Sequence, residues 1–461
     1  MLKRLKIPLL LAMLAPLSWA QMRGVPLFKL NFQFAAPLKL VPGSNQMLAP
    51  AAYSFPYNIG FTAGYIQEWN SVQRTMAIYS LSFDDDPINN LFDANLESKQ
   101  NTPTFSGQTL YQMLTAKHLL QLGPVLRVGV AADLAVSLTR NSQAESFGKG
   151  LYNNNEYGLG AELTFSKIAK GPAALRTLQA TGKITGRYAA FPNYSDASGR
   201  GEALLNSLAA GTTNSVRTNK EDVMRWVASL DASTEPLPGL VASLSYELSI
   251  DPSVQKYLLD RTGNQTARSE TLTRNTLSGD LAWSLRPASL GRTLLTLGAR
   301  VLYDGRTSDH LEQGAVATNL LGQIPADIRT NGLALGSGQV GLFFPDFLNE
   351  STLAIGPTFT LFLSRLVSTE FNYSYSRRDY GGKYARYGIG EAAGIDAGTY
   401  KAEKVWQNWQ TFSLAFRFRH ESGYRVFQPY LGYQYKDSND RADLDGRYHI
   451  FFLGFKTSLE F

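Results

Sequence analysis

Leu126-Arg-Val-Gly-Val-Ala-Ala-Asp-Leu-Ala-Val-Ser-Leu138 alternates without a break. Leu126, Val128, Val130, Ala132, Leu134, Val136 and Leu138 form one series. Arg127, Gly129, Ala131, Asp133, Ala135 and Ser137 form the other. Successive side chains of a strand point to opposite faces, so one face is wholly apolar and the other small or charged. The pattern returns in Trp406, Phe412, Leu414, Phe416 and Phe418, interleaved with Gln407, Thr411, Ser413, Arg417 and Arg419. It returns again in Leu277, Leu281, Trp283 and Leu285, opposed by Arg274, Thr276, Ser278, Asp280 and Ser284.

Working outward, sixteen such segments lie near 24–35, 58–70, 73–83, 108–122, 124–140, 154–168, 175–190, 223–236, 239–251, 271–285, 291–304, 351–363, 367–380, 405–420, 424–437 and 447–461. They are far longer than the roughly 5–6 residues of an average globular strand. They match the about 9–11 tilted residues that cross a bilayer's hydrocarbon, with extensions. Connections alternate between short ones, such as Asn70-Ser71 and Ser364-Arg365-Leu366, and long ones at 84–107, 191–222, 305–350 and 381–404. This asymmetry of tight turns and long loops belongs to transmembrane barrels, and an even strand count puts both termini at the short-turn rim. The fold predicted is therefore all-β: one antiparallel up-and-down barrel of about sixteen strands, with fourteen to eighteen also compatible. The segment 333–344 would put the next short turn on the wrong side if it were a barrel strand. It is assigned to the 305–350 loop, as an outer hairpin or an insertion into the lumen.

Composition narrows the chemistry. Only 18% of residues are charged, and 12% are aromatic; both values argue against a disordered chain. Cys is 0, which removes disulfides, thiolate metal sites and cysteine nucleophiles together. Lys3, Arg4 and Lys6 supply three of the six net charges and precede the apolar run Ile7–Leu17 and Ser18-Trp19-Ala20. This is the pattern of a secretory signal, so residues 1–20 are read as a signal peptide and 21–461 as the barrel. The remaining near-neutral chain gives no reason to expect nucleic acid as a partner.

The chain ends Tyr448-His-Ile-Phe-Phe-Leu-Gly-Phe-Lys-Thr-Ser-Leu-Glu-Phe461, with Phe451, Leu453, Phe455, Leu459 and Phe461 on one face. An amphipathic last strand closing on Phe461 resembles the sorting signal of Gram-negative outer-membrane β-barrels, although Thr457 stands where a larger apolar residue is common. The likeness is to porin-like barrels in general, and no motif picks a subfamily. It implies an outer-membrane location, with membrane lipid, lipopolysaccharide and the barrel assembly machinery as partners.

Opposite the apolar stripes lie Arg74, Arg127, Lys183, Arg187, Arg225, Arg274, Arg300, Arg378, Arg417 and Arg419. With them come Asp133, Glu156, Glu162, Asp231, Glu247, Asp280, Asp304 and Glu370. Facing lipid, each Arg or Lys would cost roughly 2–4 kcal/mol at the midplane. They are predicted to line a lumen, either as a salt-bridged wall or as a solute path with a basic strip at Arg378, Arg417 and Arg419. Sixteen strands leave room for an aqueous channel. The functions compatible with this are a passive channel for hydrophilic solutes, a polymer or polysaccharide export pore, and an adhesion or receptor barrel. An enzyme is disfavoured: His420-Glu-Ser422-Gly sits at a short turn, His118 and His449 are strand residues, and His310 has no clear partner. Asp84-Asp85-Asp86 and the group Asp437, Asp440, Asp443 and Asp445 read as solvated loops rather than metal sites. The apolar spacing over 201–210 predicts a short loop helix. No cofactor is implied.

Overall fold

The computed structural model describes residues 23–40, 47–48, 57–85, 108–140, 146–149, 153–166, 172–193, 222–259, 265–287, 289, 293–309, 312–317, 333–336, 339–344, 348–386, 400–419, 425–440 and 447–460. The chain forms a closed sixteen-stranded antiparallel barrel. Its first strand, β1 (Arg23–Leu40), carries a two-residue partner, β2 (Met47–Leu48). There follow β3 (Tyr57–Glu68), β4 (Gln73–Asp85), β5 (Gln108–Gln121), β6 (Leu126–Arg140), β7 (Asn154–Ser166) and β8 (Gln179–Ala190). Next come β9 (Val223–Leu237), β10 (Leu240–Leu259), β11 (Gln265–Leu285) and β12 (Leu295–Ser308). Three short strands, β13 (Glu312–Ala317), β14 (Leu333–Gly336) and β15 (Gln339–Phe344), interrupt the series. It resumes with β16 (Glu350–Phe362), β17 (Val367–Arg386), β18 (Tyr400–Arg419), β19 (Arg425–Ser438) and β20 (Arg447–Glu460).

Each barrel strand pairs with its sequence neighbours, and β1 closes the ring on β20 from Lys29↔Glu460 to Leu40↔His449. The other edge of β1 pairs with β3. Closure matters because hydrocarbon offers no water to unpaired backbone groups, and each one would cost several kcal/mol.

The alternation sorts the two faces. Val130, Leu134, Leu159, Leu163 and Ile184 are exposed on the outer face, Leu159 by 73%, although none has a soluble core to join. On the neighbouring positions Asp133 and Ala135 are buried. Such a band is stable only against lipid. Trp69, Trp283, Phe418 and Phe427 edge it toward the short turns, and Tyr157, Trp226 and Tyr303 toward the long loops. Arg377 and Asp379 share this outer face near the long loops. Their bonds of 2.9–3.1 Å satisfy one another, and the Trp406 ring lies 5.6 Å from the guanidinium.

The short turns are held by local chemistry. The Asn70 side chain accepts from the backbone N–H groups of Val72 and Gln73 at 2.9 and 2.8 Å. Ser364 Oγ accepts from those of Leu366 and Val367 at 3.1 and 3.0 Å. At the β9–β10 turn Gly239 has φ +79, and a Cβ there would lie 2.6 Å from the Ser284 carbonyl oxygen, so only glycine fits.

Some boundaries differ from the sequence reading. The hairpins β10–β11 and β17–β18 run past 251 and 380, because strands leaving the bilayer keep their backbone ladder after the apolar half of the alternation stops. A short helix, Ala173–Arg176, occupies what was read as the start of the seventh segment. The 333–344 segment forms β14 and β15, and β15 lies between β14 and β13 in a separate three-stranded sheet. The barrel count therefore stays at sixteen. Residues 1–22, 201–210, His310, His420 and Phe461 lie outside the described residues.

Leu159→Arg should destabilise the folded barrel by roughly 2–4 kcal/mol. Denaturant titration in lipid vesicles would measure this, and Thr181→Arg on the inner face should cost much less.

Candidate functional site

Cross-strand register builds the inner wall. Three rows of opposed residues run around one side. The first is Lys183, Ser229, Glu247, Thr276, Asp304, Thr352 and Arg378. The second is Thr185, Val227, Ser249, Arg274, Arg306, Glu350 and Tyr380. The third begins Arg187 and Arg225, with Asp251 opposite Leu272 on the next pair of strands. Most of these side chains converge on a single cavity of about 600 Å³. Six cations (Lys183, Arg187, Arg225, Arg274, Arg306 and Arg378) and four carboxylates (Glu247, Asp251, Asp304 and Glu350) line it.

Several of these charges are paired. Arg274 grips Asp304 with two bonds of 2.8 and 2.9 Å, and Thr276 Oγ1 donates to the same carboxylate at 2.9 Å. Arg225 meets Asp251 at 3.0 Å and Glu156 at 3.9 Å. Arg300 meets Asp280 at 2.6 Å, and Arg378 approaches Glu350 at 3.9 Å. Parallel guanidinium–carboxylate bonds fix orientation as well as charge, but the Arg274–Asp304 and Arg300–Asp280 pairs are substantially hydrated and so contribute little net stability.

Two pairs reach across an intervening strand. Arg187 on β8 donates to Asp133 on β6 at 3.2 Å, and Asp133 also accepts from Thr115 Oγ1 at 2.9 Å. The residue between them in register is Gly158 on β7. A Cβ there would lie 3.0 Å from Arg187 Cγ and 3.3 Å from Asp133 Cβ, so the missing side chain opens the crossing. Lys117 on β5 likewise reaches Glu162 on β7 at 2.5 Å. On β6, a Cβ at Gly129 would sit 2.8 Å from Glu162 Cγ.

The remaining candidates from the sequence are more dispersed. Asp231, opposite Thr181, accepts from Ser245 Oγ at 2.5 Å. Arg127 stands opposite Thr164 at the short-turn end of β6. Arg417 stands opposite Ser368, and the Arg419 N–H donates to the Leu366 carbonyl at 2.7 Å. Of the two alternatives, the basic strip of Arg378, Arg417 and Arg419 does not form. Arg378 is opposite Gln407, ten positions from Arg417, which is roughly 33 Å along a strand. Asp251, Arg306, Glu350 and Lys117 are wall residues that sequence reasoning did not select. Continuing the even-numbered series Arg300, Leu302, Asp304 by one step reaches Arg306. The strand histidines are not part of this wall: by register His118 and His449 fall on the outer face, bonded to Thr75 at 2.9 Å and Tyr433 at 2.7 Å. Among the described residues no group of His, Asp and Glu has the arrangement of a metal site.

No known family and no curated protein matches the chain. Solved structures do. A bacterial polysaccharide outer membrane secretin is similar over 94% of this chain and 98% of its own, at 8% identity and a TM-score of 0.40. OmpTdeltaL8, a loop L8 deletion mutant of an outer membrane protein of Vibrio cholerae, aligns over 94% and 99%, at 8% identity and 0.38. CdiB from Acinetobacter baumannii aligns over 94% of this chain and 60% of its own, at 10% identity and 0.42. At these identities and TM-scores the likenesses say nothing of activity.

A double-mutant cycle of Arg187→Gln and Asp133→Asn should give a coupling of about 1–2 kcal/mol in unfolding free energy. In a Gly158→Val background that coupling should vanish, because the valine side chain fills the crossing.

Proposed function

We propose that the chain is a passive channel for small hydrophilic solutes in the outer membrane of a Gram-negative bacterium. The observation that supports this reading is the lumen-side cavity. Ten charged side chains from seven strands, β8 to β12 with β16 and β17, converge on one cavity. Charges of both signs on one inner wall suit the passage of polar solutes. A sixteen-stranded ring is wide enough to leave an aqueous path. Lipid and lipopolysaccharide surround the outer band in this reading, and the assembly machinery inserts the chain after removal of residues 1–20. The short turns, such as Asn70-Ser71, offer little periplasmic surface to the partner that polymer export would need.

The separate sheet β13–β15 belongs to the long connection between β12 and β16, 309–349. We assign it the role of narrowing the channel, since the run Gly338-Gln-Val-Gly-Leu-Phe-Phe-Pro345 needs cover from water. Purified protein in planar bilayers should show stable single-channel steps without any added partner. Deleting 312–344 should raise the step size. A silent bilayer would reject the channel, and an unchanged step after the deletion would reject the narrowing role.

A further inference from the structure

We infer that the cavity is a binding site for small solutes carrying phosphate or carboxylate groups; this rests on the channel reading and names its substrate class. The first support is the placement of like charges. Arg187 stands directly opposite Arg225, and Arg274 directly opposite Arg306. Like charges in such cross-strand positions repel, and here two such pairs face one space.

The second support is incomplete compensation. Arg187, Arg225 and Arg274 each have a carboxylate, and Arg378 lies near one. Lys183 and Arg306 have no ion partner among the described residues. Glu162, the register neighbour of Lys183, is taken by Lys117. The Nε atoms of Arg306 and Arg187 are buried without an acceptor. A buried guanidinium N–H without an acceptor is costly, so the wall alone leaves these arginines incompletely bonded. Among the described residues Glu247 is the cavity's carboxylate without an ion-pair partner, and it sits in the row between Lys183 and Asp304.

Chemistry and size then name the ligand. Planar guanidinium groups match the paired oxygens of phosphate and carboxylate. Thr185, Ser229 and Ser249 line the same space and suit a hydroxylated body. A cavity of about 600 Å³ is in the range that holds a small organic ligand. A sugar phosphate combines both features.

The test is calorimetric titration of the detergent-solubilised barrel with glucose 6-phosphate and with glucose, and it needs no conductance. Saturable binding of the phosphate ester, weakening as salt rises, is expected, with none for glucose. Arg306→Gln should weaken it about tenfold or more, and Glu247→Gln, which removes a repelling carboxylate, should tighten it. Heat-dependent gel migration would certify that each variant is folded. Equal responses to the two sugars, or unchanged affinity in folded Arg306→Gln, would overturn the site. Bilayer recordings separate the two readings. A conducting barrel without phosphate binding loses the anion site and keeps the channel; a silent barrel that binds glucose 6-phosphate loses the channel and keeps the site.

Discussion

Every backbone N–H and C=O that enters hydrocarbon must be paired within the protein, and the β1–β20 ladder is where this requirement is met last. Without it, two strand edges would face lipid. The seam is reinforced on its outer side by aromatic rings. Phe455 lies 5.7 Å from Phe32, Phe34 and Phe427, bridging β19, β20 and β1. The apolar face of β20 therefore joins the first and last strands of the barrel. Once the ring is closed, every residue must point either to lipid or to the interior, and all later chemistry follows from that division.

The interior is not uniform. The wall from β6 to β17 carries most of the charge, whereas the seam-side wall presents Asn31, Gln33, Thr411, Gln434, Tyr430 and Phe452 by register, with Lys456 opposite Gln33. On the charged side, crossing pairs such as Arg187–Asp133 bind strands that share no backbone ladder. Glycines make those crossings feasible. Gly129 and Gly158 are thus wall residues whose function is the absence of a side chain.

Much of the fold was legible because lipid imposes a strict rule on every second residue. Val130, Leu134 and Leu159 could not be misread once the period was seen. Strand ends were less legible, since beyond the bilayer water relaxes the rule while the ladder continues, as in β10 and β11. The run 333–344 has the composition of a barrel strand, and only its pairing with 312–317 separates it from one. The eighteen charged wall candidates came from face alone. Their partners did not, because register between distant segments is absent from a single sequence. That is why Arg378 and Arg417 could be imagined as neighbours, and why Arg306, left in a loop by a boundary set four residues early, escaped notice.

The charges also act on the fold that displays them. A strand slipped by one residue exchanges its faces. For β12 that would carry Arg300, Asp304 and Arg306 to the lipid side together. Each arginine would cost up to about 2–4 kcal/mol near the midplane and less toward the rims. An apolar or serine-rich lumen would resist such slippage only through the outer face. A charged lumen resists it through both, so the residues that define the cavity also specify the register that builds it. The turns set by Asn70, Gly239 and Ser364 work in the same direction, each limiting the slack at the point where a hairpin's register begins. Electrostatics and strand alignment in this barrel are therefore one constraint: a substitution that neutralises a wall charge loosens the discrimination against misaligned strands as well as changing what the lumen attracts.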